Sequence, residues 1–510
     1  MNPLLQGMNE KQAEAVQTTE GPLLIMAGAG SGKTRVLTHR IAYLIDEKMV
    51  NPWNILAITF TNKAAKEMRE RALSLTPRAQ DTLIATFHSM CVRILRRDAD
   101  HIGYNRNFTI VDPGEQRTLM KRILKNLNLD PKKWSERSIL GTISNAKNDL
   151  IDDKAFEAQA GDLYTQIVAK CYTAYQKELR QSEAVDFDDL IMLTLRLFDQ
   201  NPEVLTYYQQ KFQYIHVDEY QDTNHVQMSI VMQLCKEKLR VCAVGDDSQS
   251  IYSFRGANID NILNYQKQLP GTQLFKLEQN YRSTQTIVEA ANSLIHHNRN
   301  QIQKEVFSKN DKGEKILYKP AYSDKEEALI VAKNIQRIKR QDDCGYDQFA
   351  ILYRTNAQSR VFEEALRKRG MPYKIYGGLS FYQRKEIKDI IAYFRLVVNP
   401  NDEEAFKRII NYPARGIGDT TVGKIITAAT DNNVSLWTAL CEPITYGLSI
   451  NKGTHTKLQD FRALIEQFMA DVTVKNAYEI GTEIIRQSGI INEVCQDNSP
   501  ENLSRKENIE

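Results

Sequence analysis

The feature that most constrains this chain is a glycine-rich loop near its amino terminus. An apolar run leads into Ala27-Gly28-Ala29-Gly30-Ser31-Gly32-Lys33-Thr34, and residues at helical spacing follow. Glycines let backbone N–H groups converge on phosphate oxygens, and the amino terminus of the next helix adds partial positive charge. In such loops the lysine reaches the β and γ phosphates and the threonine ligates Mg2+. An ordinary strand-to-helix turn is the alternative, but the coincidence of strand, glycines, Lys-Thr and helix predicts a site for a nucleoside triphosphate and Mg2+.

A second acidic site follows another apolar run. Tyr214-Ile215-His216-Val217 is followed directly by Asp218 and Glu219. At the end of a strand, Asp218 is the expected partner of Mg2+, and Glu219 is expected to position and deprotonate the attacking water. Alone, such a pair is usually a solvated turn. The loop upstream favours the catalytic interpretation.

Apolar runs bounded by turn residues predict parallel strands joined by helices, an α/β arrangement. A chain of 510 residues also exceeds what one hydrophobic core organises, so several domains are expected. Helical spacing replaces strand signals from Pro113 to Asp186 and again after about Ser380. The predicted strands are 23–27, 55–59, 83–86, 214–217, 239–244, 273–277, 316–318 and 349–353.

Composition excludes some classes of protein. No apolar run approaches the roughly 20 residues of a membrane helix, and the amino terminus resembles no secretory signal. The net charge of +3 means that a nucleic acid would have to be held by local patches. Scattered cysteines without a CxxC pair favour reduced, mostly buried thiols in a cytoplasmic protein. They are Cys91, Cys171, Cys235, Cys242, Cys344, Cys441 and Cys495.

Further motifs accompany the loop in a fixed order. They are Met8-Asn9-Glu10-Lys11-Gln12, Thr59-Phe60-Thr61-Asn62-Lys63-Ala64-Ala65, Thr86-Phe87-His88-Ser89, Asp218-Glu219-Tyr220-Gln221-Asp222, Gly245-Asp246-Asp247-Ser248-Gln249-Ser250-Ile251-Tyr252 and Gln279-Asn280-Tyr281-Arg282-Ser283-Thr284. With these motifs, nearly the whole chain resembles superfamily-one DNA helicases of the UvrD, Rep and PcrA type. It is most similar to the PcrA group of Gram-positive bacteria.

The resemblance implies two RecA-like P-loop domains with ATP between them, each carrying a mainly helical inserted domain. No Gly-Leu-Glu-Phe or Arg-Arg-x-x-Tyr-Val run occurs before Glu510, so the second RecA-like domain is expected to be incomplete. Loss of a charge-stabilising arginine would slow hydrolysis about a hundredfold or more. The predicted domains are 1–112 with 187–279 (first RecA-like), 113–186 (helical insertion), 280–380 (part of the second RecA-like) and 381–510 (second helical insertion).

The resemblance also assigns roles around the nucleotide. Gln12 would read the adenine edge, and Tyr281 would stack on the base opposite Arg35. Gln249 would sense the γ-phosphate, and Arg282 would reach in from the second α/β domain and stabilise the transferred charge. A surface ion pair is the alternative for Arg282. The implied catalytic residues are Lys33, Glu219, Gln249 and Arg282, with Thr34 and Asp218 as metal ligands.

A site for single-stranded DNA, here named the strand site, is expected where aromatic faces stack on bases and polar groups contact phosphates. Tyr252-Ser253-Phe254-Arg255 supplies two aromatics and an arginine, although the family usually has tryptophan where Phe254 stands. The family's other strand-contacting positions correspond to Phe60, Phe187, Arg354 and Asn356, and its phosphate contacts to Asn62, Thr86 and His88. Core burial is the alternative for Phe60 and Phe187, and a structural role for His88.

The favoured interpretation is an ATP-dependent translocase and helicase of DNA repair and replication, with 3'-to-5' polarity implied by the resemblance alone. Its expected partners are single-stranded DNA, duplex junctions and repair or replication accessory proteins, without a membrane, and it is expected to be a monomer without DNA. One alternative is a nucleotide-dependent DNA-binding fragment with impaired hydrolysis and no unwinding. Another is a P-loop kinase, which would not need the paired aromatics Tyr252 and Phe254.

Overall fold

The computed structural model describes residues 2–376, 381–494 and 500–510, which form two compact units. The first unit comprises Met1–Glu314, Val398–Glu404 and Ile425–Leu448, and the second comprises Lys315–Val397, Ala405–Lys424 and Ser449–Glu510. The glycine-rich loop and all six further motifs lie in the first unit. Arg354 and Asn356 lie in the second.

A six-stranded parallel sheet forms the centre of the first unit, with the strand order β3-β2-β6-β7-β1-β8. Its strands are β1 Leu23–Ala27, β2 Ile55–Thr59, β3 Leu83–Thr86, β6 Tyr214–Val217, β7 Val241–Gly245 and β8 Gln273–Leu277. Two further parallel pairs join β4 Thr109–Ile110 to β5 Ala184–Val185, and β9 Gln279–Asn280 to β10 Phe307–Ser308. Because all strands of the large sheet run parallel, their carboxyl ends meet at one edge, where α/β proteins bind ligands.

Helices cover both faces of this sheet. Along β1, Leu24 and Met26 face one buried cluster, and Leu23, Ile25 and Ala27 face another. Burial on both faces explains why the strands are continuous apolar runs. The helices are α1 Glu10–Gln17, α2 Lys33–Asp46, α3 Asn62–Leu75, α4 Phe87–Asp98, α5 Pro113–Asn126, α6 Glu136–Asn148, α7 Asp153–Gln159, α8 Leu163–Gln181, α9 Phe187–Gln200, α10 Pro202–Lys211, α11 His225–Cys235, α12 Asp260–Leu263, α13 Tyr265–Gln268 and α14 Gln285–Ile295.

Helices α5 to α8 share a separate hydrophobic cluster that includes Leu119, Ile143 and Tyr172. The paired strands β4 and β5 lie on either side of this helical segment in the sequence. A capping box at Asp112 and Glu115 begins α5 and satisfies backbone N–H groups of its first turn. The exact domain limits given above stay a prediction.

Five of the predicted strands have the observed bounds, and the α/β class is confirmed. The strand predicted at 239–244 runs from Val241 to Gly245, and β5 lies inside the segment predicted to be helical. The strands predicted at 316–318 and 349–353 are wrong, because these residues adopt no regular structure. Tyr318 is 86% and Leu352 93% exposed. An apolar run becomes a strand only where a neighbouring strand pairs with its backbone.

The remaining helices, most of them in the second unit, are α15 Asp324–Asp342, α16 Ser359–Lys368, α17 Lys385–Val398, α18 Glu403–Ile409, α19 Asp419–Asn432, α20 Leu436–Cys441, α21 Lys452–Asp471, α22 Ala477–Gln487, α23 Ile490–Val494 and α24 Pro500–Ile509. Among the described residues, every helix is too short or too polar to cross a bilayer. The six described cysteines form no disulfide and four of them are buried, while Cys495 lies outside the described residues.

Candidate functional site

The glycine-rich loop joins β1 to α2 and has a backbone that only small residues tolerate. Gly30 and Gly32 have φ values of +66° and +86°, in the left-handed region that favours glycine. The hydroxyl of Ser31 is buried and has no hydrogen-bond partner in the described chain. Lys33 begins α2, so the loop presents a helix amino terminus. This geometry suits phosphate oxygens.

Two buried amide side chains hold the loop in place. The Gln12 side-chain N–H donates to the carbonyl of Ser31 at 2.9 Å, and its oxygen accepts from the Asn9 backbone at 3.1 Å. The Asn280 side chain donates to the carbonyl of Ala29 at 2.6 Å and accepts from the Arg282 backbone at 2.8 Å. The sequence shows Asn280 only as part of a motif, whereas the structure shows that it supports the loop. The adenine contact of Gln12 stays a prediction.

The expected catalytic carboxylates lie at the carboxyl end of β6, beside the loop. Lys33 Nζ donates to both carboxylate oxygens of Glu219, at 2.9 and 3.1 Å. Glu219 has a φ of +50°, which costs a non-glycine residue about 1–3 kcal/mol and is typical of functional sites. Gln221 also donates to Glu219 at 2.9 Å. The residues predicted to bind phosphate and to activate water are thus in direct contact.

Asp218 is the carboxylate expected to bind the metal. Burial, followed by the negative charge of Glu219, raises the pKa of Asp218 to about 7, while Lys33 opposes the shift. A nearby divalent cation would favour the ionised form. Mg2+ is typically held by one or two protein oxygens together with substrate phosphates. The hydroxyl of Thr34 and the carboxylate of Asp218 therefore fit Mg2+, and the loop beside them fits the phosphates.

Gln249 lies in a polar cluster that the sequence did not reveal. Its side chain donates to Asp246 Oδ2 at 2.7 Å, and the Asp246 backbone donates to Gln221 Oε1 at 3.0 Å. Lys304 is ion-paired with Asp246 at 3.0 Å and with Asp247. The sequence motifs indicate no role for Gln221, and Lys304 lies outside every motif.

The residues expected around the base and the γ-phosphate lie close to the loop. The hydroxyl of Tyr281 accepts from the Asn9 side chain at 2.8 Å, and the Tyr281 backbone donates to Gly30 at 3.0 Å. Arg35 donates to the Gln6 carbonyl at 3.2 Å. The side chain of Arg282 is exposed. A Cβ added at Gly30 would lie 2.9 Å from Arg282 Cβ, so this arginine starts beside the loop.

The rings of Phe60, Tyr252 and Phe254 form a row, here named the aromatic row. The ring centroids of Phe60 and Tyr252 are 4.8 Å apart, and those of Tyr252 and Phe254 are 6.0 Å apart. Phe254 is 70% and Phe187 45% exposed. Core burial is therefore wrong for Phe187, and Phe60 is only half-buried. Exposed aromatic faces in a row are suited to stacking on the bases of a single strand.

Five of the predicted strand contacts line one open groove of about 520 Å³, namely Phe60, Asn62, Thr86, His88 and Phe187. Thr86 caps α4 through the Ser89 backbone at 3.2 Å. Burial lowers the pKa of His88, so the imidazole is neutral at physiological pH. Arg93, which sequence reasoning missed, also lines the groove and adds positive charge. Its position on α4, four residues after the groove-lining Ser89, was the available signal.

Two predicted DNA contacts belong to the second unit, and the side chain of a third lies outside the described residues. Arg354 and Asn356 belong to the second unit, in an exposed turn where the Arg354 backbone donates to Gln358 at 2.9 Å. The side chain of Arg255 lies outside the described residues. Their DNA contacts stay predictions.

Comparison with known proteins identifies the family. Residues 8–270 match the UvrD/REP helicase N-terminal domain, and residues 275–498 match the UvrD-like helicase C-terminal domain. The chain belongs to the UvrD-like helicase family. The resemblance noted from its motifs is confirmed.

Relatives of this UvrD-like chain include proteins named ATP-dependent DNA helicase PcrA. The one from Staphylococcus aureus is 51% identical over 100% of the chain and 70% of its own length. The one from Bacillus subtilis is 52% identical over 100% of the chain and 69% of its own length. The one from Leuconostoc citreum is 50% identical over 99% of the chain and 68% of its own length.

We expect Gly30→Ala to weaken ATP binding by this UvrD-like chain about tenfold or more. The new Cβ would lie 2.7 Å from Asn280 Nδ2, whose buried amide is fixed by its own hydrogen bonds. A left-handed backbone adds about 1–2 kcal/mol of strain for alanine. Titration with a fluorescent ATP analogue measures the affinity. Gly21→Ala is the matched control, because Gly21 has a φ of +78° but an added Cβ would meet no atom within 4 Å. Equal ATP affinities in the two variants would show that crowding against Asn280 does not weaken binding.

We expect Phe254→Ala to weaken binding of oligo-dT about 5- to 150-fold, because a base stacked on an aromatic ring contributes about 1–3 kcal/mol. Phe254→Trp should strengthen binding, since the larger ring offers more stacking area. Fluorescence anisotropy with a labelled oligo-dT measures both effects. Trp53→Ala is the control, because Trp53 is 54% exposed and lies outside the aromatic row. If Trp53→Ala lost as much affinity for oligo-dT as Phe254→Ala, the loss would not show that Phe254 belongs to the strand site.

Proposed function

We propose that this chain is the ATP-driven motor of a DNA helicase that translocates 3'-to-5' on single-stranded DNA. The observation that carries the proposal is the loop from Asp246 to Phe254. At one end Asp246 and Gln249 are hydrogen-bonded into the network of the nucleotide loop. At the other end Tyr252 and Phe254 belong to the aromatic row. A short segment therefore joins the hydrogen-bond network of the nucleotide loop to the aromatic row, which supports the proposal.

On the nucleotide side, each role follows from side-chain chemistry. Lys33 exchanges the Glu219 carboxylate for the β and γ phosphates, and Glu219 is then released to orient and deprotonate water. Thr34 and Asp218 would hold Mg2+, which would neutralise negative charge at the phosphates. Arg282, which starts beside Gly30, stabilises the charge that develops on the transferred group. Gln249 senses the γ-phosphate, and its hydrogen bond to Asp246 transmits this to the loop that begins there.

On the strand side, the groove of about 520 Å³ supplies contacts without sequence preference. Bases stack on Phe60, Tyr252, Phe254 and Phe187, while Asn62 and Thr86 donate to phosphates. These contacts are made to the faces of the bases and to the phosphate backbone, which every DNA sequence offers. The proposed substrate is single-stranded DNA next to a duplex junction, in repair and replication, as the family resemblance implies. Accessory proteins of those pathways would direct the motor, and the chain would act as a monomer without DNA.

The second candidate is a nucleotide-dependent DNA-binding fragment with impaired hydrolysis and no unwinding. The second unit favours this candidate, because the strands predicted at 316–318 and 349–353 do not form there. A small-molecule kinase has less support, since it would leave the aromatic row without a role.

Unwinding of forked substrates tests the proposal. A labelled duplex with a 3' single-stranded tail should separate when ATP and Mg2+ are added, and one with a 5' tail should not. Separation of the 5'-tailed duplex alone would contradict the proposed polarity. Nucleotide-dependent binding of the 3' tail without separation would favour the binding fragment.

A further inference from the structure

Lys304 has a side chain that is buried almost completely in the first unit. Its side chain is 4% exposed, and those of its partners Asp246 and Asp247 are 3% and 0% exposed. Lys304 Nζ donates to Asp246 at 3.0 Å, to the Ser248 hydroxyl at 2.9 Å and to Asp247. Burial opposes its positive charge, but Asp246 and Asp247 outweigh burial and raise the pKa of Lys304. The ammonium therefore stays charged and fixes three consecutive residues.

These three residues begin the loop that joins the two sites. Asp246 receives a hydrogen bond from Gln249 at 2.7 Å and donates through its backbone to Gln221 at 3.0 Å. Gln221 donates in turn to Glu219, which is paired with Lys33. A continuous series of polar contacts thus leads from the nucleotide loop to the residues that Lys304 holds.

The segment that carries Lys304, here named the bridging segment (Ile302 to Ser308), also touches the nucleotide loop from another side. A Cβ added at Gly28 would lie 2.6 Å from Val306 Cγ2, so Val306 packs closely on the loop. Phe307 and Ser308 form β10, which pairs with Gln279 and Asn280 of β9.

The pairing of β10 with β9 brings the bridging segment to Asn280 and Arg282. Asn280 donates to the carbonyl of Ala29 in the nucleotide loop and accepts from the Arg282 backbone. The Ile302 backbone donates to Asp247 at 2.6 Å at the other end of the same segment. One segment of seven residues therefore joins Gly28, the β9 motif and the start of the Asp246 to Phe254 loop.

We propose that Lys304 is a positioning residue that couples nucleotide binding to strand binding, by tying Asp246, Asp247 and Ser248 to the bridging segment. This inference rests on the proposed function. A shift of Gly28, Asn280 or Arg282 on phosphate binding moves the bridging segment, and Lys304 transmits that movement to the loop bearing Tyr252 and Phe254. A rigid ion pair is needed, since a flexible contact would absorb the movement.

A purely structural role is the alternative, because removing one partner of a buried ion pair destabilises a fold. The two roles differ in what they change. A structural defect weakens nucleotide and strand binding together. A coupling defect leaves each ligand's own affinity intact and removes the effect of one on the other, which by linkage is a ratio of affinities.

The test measures the affinity of the 510-residue chain for labelled oligo-dT with and without a non-hydrolysable ATP analogue. Coupling of ordinary strength changes the affinity about 5- to 150-fold in the unaltered chain. Lys304→Met should bring this ratio to within about threefold of one, while each single affinity stays within about threefold of the unaltered value. Lys304→Arg keeps the charge and should restore most of the ratio.

Lys309→Met is the matched control, because Lys309 is exposed and lies just beyond the bridging segment. Its ratio should equal that of the unaltered chain. A Lys304→Met ratio equal to that of the unaltered chain would overturn the coupling role, and so would a joint loss of both affinities that Lys304→Arg does not reverse. If the unaltered chain itself binds no oligo-dT, the proposed function fails, which is a distinct outcome.

Discussion

Glu219→Gln should lower the maximal rate of ATP hydrolysis about 10²- to 10⁴-fold, the usual contribution of a general base. Glutamine has nearly the same shape but cannot accept the proton of the attacking water. Glu219 also holds Lys33 through both carboxylate oxygens, at 2.9 and 3.1 Å. Because a neutral amide holds the ammonium less strongly, ATP affinity should be unchanged or tighter. Steady-state hydrolysis and binding of a fluorescent ATP analogue measure the two quantities separately.

Glu237→Gln is the control for loss of one negative charge. Glu237 is exposed after α11, away from the carboxyl ends of the strands. Its variant should hydrolyse and bind ATP as the unaltered chain does. A Glu219→Gln chain that hydrolyses ATP at the unaltered rate would exclude Glu219 as the base, and a joint loss of binding would make it a structural residue.

Lys147→Met should destabilise the contact between α6 and α9 by about 3–5 kcal/mol, the usual effect of removing one partner of a buried ion pair. Lys147 is fully buried and contacts Asp186 at 2.6 Å and Asp189 at 2.8 Å. Tyr175 also donates to Asp186, at 3.0 Å. Without the ammonium, two buried carboxylates lack a cation. Amide hydrogen exchange in α6 and α9 should accelerate accordingly, since it reports local opening.

The destabilisation should depend on pH. Burial and then the charge of Asp186 raise the pKa of Asp189 to about 6, above its unfolded value of about 4. Ionisation of Asp189 therefore costs stability as pH rises from about 4 through about 6, and Lys147 limits this cost. The deficit of Lys147→Met should be larger at about pH 7.5 than at about pH 5.5.

Lys170→Met is the control for this experiment, because Lys170 is an exposed lysine on α8 of the same helical segment. Its hydrogen exchange should match that of the unaltered chain at both pH values. A Lys147→Met deficit that does not change with pH would mean that the carboxylates are not the source of the destabilisation.

Sequence patterns predicted the parts of the fold that local rules determine. The run from Leu23 to Ala27 is buried on both faces, so composition alone identifies it as a central strand. The glycines of the loop and Lys33 specify phosphate binding through backbone geometry and charge. Motif order then placed Phe60 and Tyr252 in one site, although 192 positions separate them in the sequence.

Other features depend on tertiary contacts that a sequence does not display. Phe349 to Tyr353 is apolar enough for a strand, but a strand needs a neighbour, and none pairs with it in the described ranges. Lys304 lies in an ordinary polar stretch, and its role appears only when folding brings it against Asp246 and Asp247. In the same way, Asn280 contacts Ala29 and Gln221 contacts Asp246, partners that are distant from them in the sequence.

The most direct test of the proposed motor is the ATPase rate of the chain with and without oligo-dT, measured beside Lys33→Ala. We expect oligo-dT to raise the rate severalfold and Lys33→Ala to abolish hydrolysis in both conditions. Hydrolysis that depends on Lys33 but does not respond to oligo-dT would contradict the proposal that the nucleotide site and the aromatic row act as one motor.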